Sequence, residues 1–464
     1  MSNRINSQKD LIGARSDAVS YQQLLDLEVN PVPAALRENT NTFLGSDALS
    51  TDRYLSRDFY EQEKLKLWPR VWQAVCRETE IENSGDFFSH QIADLNILVL
   101  RTDSGAIKAY RNACLHRGRQ LKSGAGNSRE LKCPFHGFTW TLEGQFKSAP
   151  CLWDFPHIGN EKFSLADVTV DTWGGWVFVN IDGKAAPLKE YLGVMDEHFK
   201  RWTPEKTYKA MHLKKVLRCN WKLAHEAFIE SYHTVATHPQ LLLYTADANS
   251  QYDCFNDHVS RTITPMGVAS PHLPNATEQQ STDQWLRIYD ATADQDLPTI
   301  PEGQTAREYL GKMNIERFSE MYQQDLSAVA TNSEVLDAIL YSIFPNFAPW
   351  AGYRPNVTYR FLPYKDDHEM CTMEIFLMMR YPEHEPRPRD CAMIFVGADQ
   401  RFADTEGISA GLAAVFDQDF SNLPQVHKGL KNLEAGQVEL ANYQEVRIRH
   451  FHQTLDKYMA DELP

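Results

Sequence analysis

The sequence predicts a two-part α+β protein, and three observations lead there. Short apolar runs separated by turn signals fill residues 60–182, the pattern of a small all-β domain. Two later strand-like runs, 357–362 and 370–380, flank the polar turn 364–368 as in a hairpin. About the last sixty residues carry helical periodicity, with Leu430, Leu433, Val438, Leu440, Val446 and Tyr458 among the apolar positions.

At 464 residues the chain exceeds one ordinary domain. Hydrophobic residues make up 42%, aromatics 11% and charged residues 23%, which fits a globular protein rather than a disordered one. A formal net charge of −15 argues against a nucleic-acid binder, which would carry a basic face. Residues 1–10 contain no apolar core of a secretory signal, and no long uncharged apolar run suggests a membrane span. Of the eight cysteines, Cys76, Cys151, Cys219, Cys254, Cys371 and Cys391 have no framework spacing, so reduced thiols and a cytoplasmic location are expected.

Taken in order, residues 1–50 read as a polar N-terminal arm, with Asn-Pro-Val-Pro near its middle. A helical pattern over 59–68 leads into a strand over 71–76. Further strands are expected over 86–92, 96–101, 107–112, 138–142 and 176–181, with turns at Asp103-Ser104-Gly105 and Glu143-Gly144. The first domain is therefore drawn at 51–185 and the second at 186–464. In the second, 187–201 reads as a linking helix and 211–219 as the first strand, while the polar stretch 244–333 reads as an insertion that covers a pocket.

Within the all-β region lie two ligand pairs, Cys114-Leu115-His116 and Cys133-Pro134-Phe135-His136. Each supplies one thiolate and one imidazole, as a [2Fe–2S] cluster requires when two histidines replace two cysteines. Zinc also takes Cys₂His₂, but zinc fingers place both cysteines before both histidines, whereas each pair here mixes the types. Gly118 and Gly137 follow the pairs, which suits two tight loops gripping a cluster from either side.

A second constellation follows Asn220-Trp221-Lys222. His233 and His238 are five apart, off the usual helical pairing, and Pro239 accounts for a helix that ends near His238. Two histidines and one carboxylate with open positions form the non-haem Fe(II) arrangement. Asp417 and Asp419, set among apolar residues, are both candidates for the carboxylate. His225 reads as structural, and Trp221 and Phe228 as core.

With these motifs in this order, the chain resembles the large (α) subunit of Rieske-type ring-hydroxylating oxygenases from residue 50 onward. Cys-Leu-His-Arg-Gly and Cys-Pro-Phe-His-Gly-Phe are similar to the family's cluster loops, and Tyr232-His233 with His238 to its iron motif. Ser342-Ile343-Phe344-Pro345-Asn346 is similar to a recurring family segment, and Gln418-Asp419 to the segment whose aspartate completes the triad. The resemblance implies a Rieske domain and a helix-grip catalytic domain, an antiparallel sheet with a long helix. It implies Cys114, His116, Cys133 and His136 as cluster ligands, and His233, His238 and Asp419 as ligands of a mononuclear iron. Glu230, where the family usually has aspartate, is implied as the bridge that carries electrons from a neighbouring subunit's cluster in a head-to-tail trimer.

The expected activity is that of a terminal oxygenase using O2 and external electrons on a hydrophobic, aromatic substrate. Ring dihydroxylation, monohydroxylation and oxidative O- or N-demethylation all remain open. A ferredoxin or flavin reductase is expected as electron donor, since no G-x-G-x-x-G turn serves a nucleotide; a small β subunit is an optional partner. The rival classes are a cluster-bearing electron carrier, which does not need His233, His238 and Asp419, and a helix-grip binding module that has lost its iron, which an iron count separates. Pocket-lining segments are expected at 241–244, 339–350 and 376–379.

Overall fold

A computed structural model describes residues 16, 18–159, 163–289 and 296–464. The chain divides into two compact units, one of Glu61–Tyr191 with Lys457–Pro464 and the other of the residues up to Tyr60 with Leu192–Asp456. This differs from the expected bounds at both ends, for identifiable reasons. Tyr54 bonds within the larger unit, to Glu226 at 3.2 Å and His452 at 3.1 Å. The last residues are held in the smaller one, where Asp461 pairs with Lys66 at 2.8 Å and Arg70 at 2.7 Å.

The smaller unit is all-β apart from short turns of helix and chain ends. Strands β1 (Gln73–Arg77), β2 (Asp86–Ile92), β3 (Leu95–Arg101), β4 (Ile107–Arg111), β5 (Ala125–Asn127), β9 (Asp167–Trp173) and β10 (Trp176–Asn180) form one antiparallel sheet. Its order is β1-β10-β9-β4-β3-β2-β5. Continuous apolar runs make the buried strands: every residue of β10 and the segment Ile97 to Leu100 of β3 are buried. A second sheet joins β6 (Leu131–Lys132), β7 (Thr139–Trp140) and β8 (Phe146–Ser148). The strand expected over 138–142 is cut short because Thr141 and Gln145 close a turn with Gly144 at φ +81°. One core joins Leu98, Leu100 and Tyr110 of the first sheet to Trp140 and Phe146 of the second, and it includes Cys114 and Cys133.

The expected linking helix over 187–201 is two short helices, Leu188–Leu192 and Met195–Phe199, separated at Gly193 by a φ of +52°. In the larger unit, strands β11 (Thr207–Leu217), β12 (Gln251–Asn256), β13 (Val259–Thr264), β14 (Ala338–Ile343), β15 (Phe347–Ala351), β16 (Asn356–Tyr364), β17 (Asp367–Arg380) and β18 (Ile394–Val396) form an eight-stranded sheet. Its order is β12-β13-β14-β15-β16-β17-β11-β18, antiparallel except for the last pair. The expected hairpin is β16–β17, turning near Lys365 at φ +57°. Helices α1 (Trp221–Glu226), α2 (Thr234–Thr237), α3 (Glu278–Tyr289), α4 (Ala306–Tyr322), α5 (Ala410–Leu430) and α6 (Val446–Met459) complete the helix-grip arrangement. The long α5 buries Ala413, Phe416, Asp419, Phe420, Leu423 and Leu430 along one stripe.

The stretch 244–333 is not a simple insertion, since it supplies β12 and β13 of the sheet as well as α3 and α4. Its polarity hides this: Asp253 and Arg261 are fully buried, but pair across the two strands at 2.7 Å. The arm is likewise docked over its described part. Tyr21, Leu24, Leu25 and Leu36 are buried, and Glu28 accepts the backbone N–H of Asn332 at 2.7 Å and Ser333 at 3.0 Å. Residues 1–15 of that expected arm lie outside the described residues. All eight cysteines are free. No helix among the described residues is long and apolar enough to cross a membrane.

Candidate metal centres

The two cysteine–histidine loops are built alike. Cys114 N–H donates to Arg119 O at 2.8 Å and Gly118 N–H returns to Cys114 O at 2.8 Å. Cys133 N–H donates to Phe138 O at 2.8 Å and Gly137 N–H returns to Cys133 O at 3.0 Å. Both glycines take φ +75°, a backbone that a side chain would strain. The two thiols are buried against the aromatic core, and burial followed by the adjacent Cys133 pushes the Cys114 thiol above its ordinary range.

The imidazoles of His116 and His136 are 4.7 Å apart between centroids, and His116 stacks on Phe138 at 4.5 Å. His116 Nδ1 is buried with no hydrogen-bond partner, although the ring is held in place. Arg117 donates to His136 Nε2 at 2.7 Å and stacks on Phe135. Two buried thiols, an unpartnered buried imidazole nitrogen and a second imidazole beside it fit a two-cysteine, two-histidine cluster.

In the larger unit, Asn220 caps α1 through its side chain, and the helix ends at Glu226. The single helix expected to run on to His238 is therefore broken. Residues 227–233 turn, and α2 spans only four residues, with His233 at its start and His238 at its end. Glu230 meets His233 through this turn, not along a helix face. Its Oε2 accepts the His233 backbone N–H at 3.1 Å and its Oε1 accepts from His233 Nδ1 at 2.5 Å. His238 departs from helical geometry (φ −124°, ψ 55°) ahead of Pro239, as the residue before proline must.

Asp419, 6% exposed, enters from the middle of α5. Its Oδ1 lies 2.9 Å from His238 Nε2 and 3.5 Å from His233 Nε2. One ligand atom from each of the three residues lies within 4.8 Å of the others. Asp417 faces elsewhere, accepting the backbone N–H groups of Phe402 at 2.8 Å and Ala403 at 3.0 Å. Two residues on a helix are about 200° apart, which explains why only one of the acids reaches the histidines.

The outer nitrogens are equally placed. His238 Nδ1 donates to Gln418 Oε1 at 2.8 Å, and the same oxygen accepts from Gln240 Nε2 at 2.7 Å. With Nδ1–H given to Glu230 and Gln418, both rings keep a lone pair on Nε2, facing Asp419. Burial disfavours a charged His233, yet Glu230 and Asp419 together hold its pKa above the ordinary histidine value. Two imidazoles and a carboxylate converging on one point fit a mononuclear iron. The orienting Gln418 and Gln240 were not foreseen as partners, and only the adjacency of Gln418 to Asp419 signals either.

Glu230, His233 and Asp419 line two cavities. One, of about 180 Å³, is walled by apolar and aromatic residues including Phe228, Trp350, Tyr359 and Phe416. The other, of about 500 Å³, is edged by Tyr54, Glu226 and Glu445. Of the expected lining, Leu241, Leu340 and Trp350 reach the first cavity, while 376–379 does not. Phe376 instead packs on His212 at 4.3 Å and beneath Arg360. Phe228, read as core, lines the cavity. His225 is structural as expected, fully buried within 3.3 Å of the Ser342 hydroxyl, and its pKa is pushed down to about 3 by burial and by Arg447 and His452. Trp221 is buried against Phe451 at 5.7 Å.

Comparison with known proteins agrees with this anatomy. The Rieske [2Fe–2S] domain model matches residues 71–158, and the ring hydroxylating alpha subunit (catalytic domain) model matches residues 197–461. The chain is 32% identical over 220 residues to chlorobenzene dioxygenase subunit alpha of Cupriavidus sp. (strain PS12), covering 44% of this chain and 49% of that protein. It is 26% identical over 189 residues to the carnitine monooxygenase oxygenase subunit of Escherichia coli (strain K12), covering 40% and 50%. The matches thus span about half the length of these curated relatives. In fold, the chain is similar to naphthalene 1,2-dioxygenase bound to phenanthrene, with a TM-score of 0.61 at 16% identity over 90% of this chain and 93% of that one. A quaternary ammonium Rieske monooxygenase in complex with L-carnitine gives 0.60 at 16% identity, over 90% and 97%. The chain belongs to the ring-hydroxylating alpha-subunit family, with a Rieske [2Fe–2S] domain ahead of its catalytic domain.

Proposed function

We propose that this protein is a terminal oxygenase in which Cys114, His116, Cys133 and His136 hold a [2Fe–2S] cluster and His233, His238 and Asp419 hold a mononuclear iron. When bound, these groups relay single electrons and activate dioxygen beside a substrate. The observation that carries the reading is the pair of imidazoles with Nδ1 tied outward and Nε2 turned to one carboxylate oxygen. An electron carrier needs no such set.

The chain's own residues divide the remaining work. Glu230 and Gln418 fix ring orientation and tautomer. The apolar walls of the smaller cavity exclude water and orient an aromatic or other hydrophobic substrate. Glu230 also borders the larger cavity, which supports its role as the bridge by which electrons arrive from the cluster of a neighbouring subunit. Glutamate reaches one methylene further than the family's usual aspartate. The wider reading is a cytoplasmic head-to-tail trimer fed by a ferredoxin or flavin reductase; the eight free cysteines suit a reducing compartment.

The test is reductant-driven oxygen consumption with ¹⁸O₂ across a panel of hydrophobic substrates. Incorporation of ¹⁸O into product by the wild type, abolished in His233→Ala, is expected. Product structure then identifies dihydroxylation, monohydroxylation or demethylation. Cluster reduction with neither ¹⁸O incorporation into any panel member nor release of formaldehyde, on iron-replete protein, would favour the electron carrier.

A further inference from the structure

Glu230 stands in a turn whose backbone is held from outside. Of the two peptide groups that flank it, the first offers the Ile229 carbonyl, which accepts from the Arg447 guanidinium at 3.1 Å and from the Thr262 hydroxyl at 3.1 Å. The second offers the Ser231 N–H, which donates to the Tyr252 hydroxyl at 3.2 Å. The Ser231 side chain bonds the same hydroxyl at 2.7 Å and Ser250 Oγ at 2.6 Å. Helical bonding does not supply these partners, because α1 ends at Glu226 and α2 begins at Thr234. Buried backbone groups in such a gap must pair with side chains, and β12 lends Tyr252, β13 lends Thr262 and α6 lends Arg447.

Two of these donors and acceptors lead to the C-terminal segment. Tyr252 donates onward to Gln444 Oε1 at 3.0 Å, and Gln444 Nε2 donates to Ala248 O at 3.1 Å. Arg447 also donates to Ser260 Oγ at 3.0 Å and to the Thr262 hydroxyl. Arg447 is fully buried, and among the described residues its guanidinium hydrogen-bonds neutral oxygens alone, those of Ile229, Ser260 and Thr262. Asp253 acts on it electrostatically but is bonded to Arg261. Burial pushes the Arg447 pKa down to about 9, which leaves it charged at neutral pH. Burying a charge without a bonded counter-ion is unfavourable, so what Arg447 contributes lies in the oxygens it holds in place. The other half of the site has its own support, since His238 is oriented by Gln418 and Gln240, and none of Tyr252, Gln444 and Arg447 bonds to it or to Asp419.

We infer that Tyr252 and Arg447 are positioning residues for the mononuclear iron site: by holding the peptide groups on either side of Glu230 they fix its carboxylate on His233, so that the C-terminal helix sets the geometry of one half of the ligand set. This rests on the oxygenase reading and extends it to residues remote from the ligands. Without the clamp, Glu230 is free to leave His233 Nδ1, and the ring loses the contact that fixes its orientation and tautomer.

The test measures Fe(II) affinity by chelator competition on anaerobic, cluster-replete enzyme, together with the electron paramagnetic resonance signal of the iron site treated with nitric oxide. Tyr252→Phe removes one hydroxyl and keeps the ring, Arg447→Met removes the guanidinium, and Arg447→Lys keeps a charge and a donor. The first two are expected to weaken Fe(II) binding by about tenfold or more and to broaden or split the signal, and Arg447→Lys to recover part of both. Leu455→Ala opens a cavity about two turns further along α6, away from the turn, and controls for general loss of stability. It should lower the denaturation midpoint at least as far as Tyr252→Phe while leaving Fe(II) affinity and the signal at wild-type values. Wild-type affinity and signal in Tyr252→Phe or in Arg447→Met, or an equal loss of iron in Leu455→Ala, would overturn the inference. Tyr252→Phe decides it should Arg447→Met fail to fold. A wild type that takes up no iron beyond the cluster is a different result, which overturns the oxygenase reading and this inference with it.

Discussion

His233 is bracketed by Glu230, whose Oε1 accepts from Nδ1 at 2.5 Å while Oε2 accepts the His233 backbone N–H at 3.1 Å. The carboxylate thereby fixes both the ring and the turn that carries it, and it opens on the larger cavity. Glu230→Gln keeps the shape and loses the charge. It should retain mononuclear iron but slow oxidation of the reduced cluster in single turnover by about tenfold or more. Stopped-flow absorbance of the cluster reads this directly, and an unchanged rate would remove Glu230 from the electron path.

Asp417 and Asp419 are two residues apart with different duties, so their alanine variants should separate. Asp419→Ala is expected to lose the mononuclear iron while cluster absorbance stays. Asp417→Ala should keep the iron but unseat the backbone N–H groups of Phe402 and Ala403, costing about 1–3 kcal/mol in denaturant unfolding. Iron loss from the Asp417 variant instead would reverse the assignment.

Gln418 receives both His238 Nδ1–H and the Gln240 amide. Gln418→Leu frees the imidazole to rotate or change tautomer, and Fe(II) affinity should fall by roughly 10–100-fold. Competition with a chelator measures this, and wild-type retention would show that packing alone orients the ring.

Glu226 is buried at the edge of the larger cavity, accepts from the Tyr54 hydroxyl at 3.2 Å and lies 2.8 Å from His452 Nε2. Burial, partly offset by the Tyr54 hydrogen bond and by Lys222 and Arg53, raises its pKa from 4.5 to about 8. The folded state therefore holds a proton that the unfolded chain releases above its ordinary carboxylate range. This contribution to stability is full below pH 4.5 and is lost as pH rises through about 8. Glu226→Gln mimics the protonated form, so its melting temperature should match wild type near pH 5 and exceed it by several degrees at pH 9. Parallel pH profiles would show that Glu226 is charged throughout.

What was legible in the sequence follows the range of the interactions. The cluster loops close on themselves within five residues, Cys114 to Arg119 and Cys133 to Phe138, so a local motif carries them almost whole. His233 and His238 were legible for the same reason, Pro239 included. Their orienting contacts were less so, because Gln418 meets His238 across 180 positions of chain and no local pattern records it. The strands β12 and β13 were hidden because Asp253 and Arg261 neutralise each other only once paired across the hairpin.

A chain that holds both a cluster and a separate iron at His233, His238 and Asp419 has a distinct iron-to-sulfide ratio. Iron and acid-labile sulfide per chain, measured on anaerobically reconstituted wild type and on the His233→Ala/His238→Ala double variant, test this most directly. About three irons and two sulfides are expected in the wild type, falling to about two irons with sulfide unchanged in the variant. About two irons in both proteins would contradict the assignment.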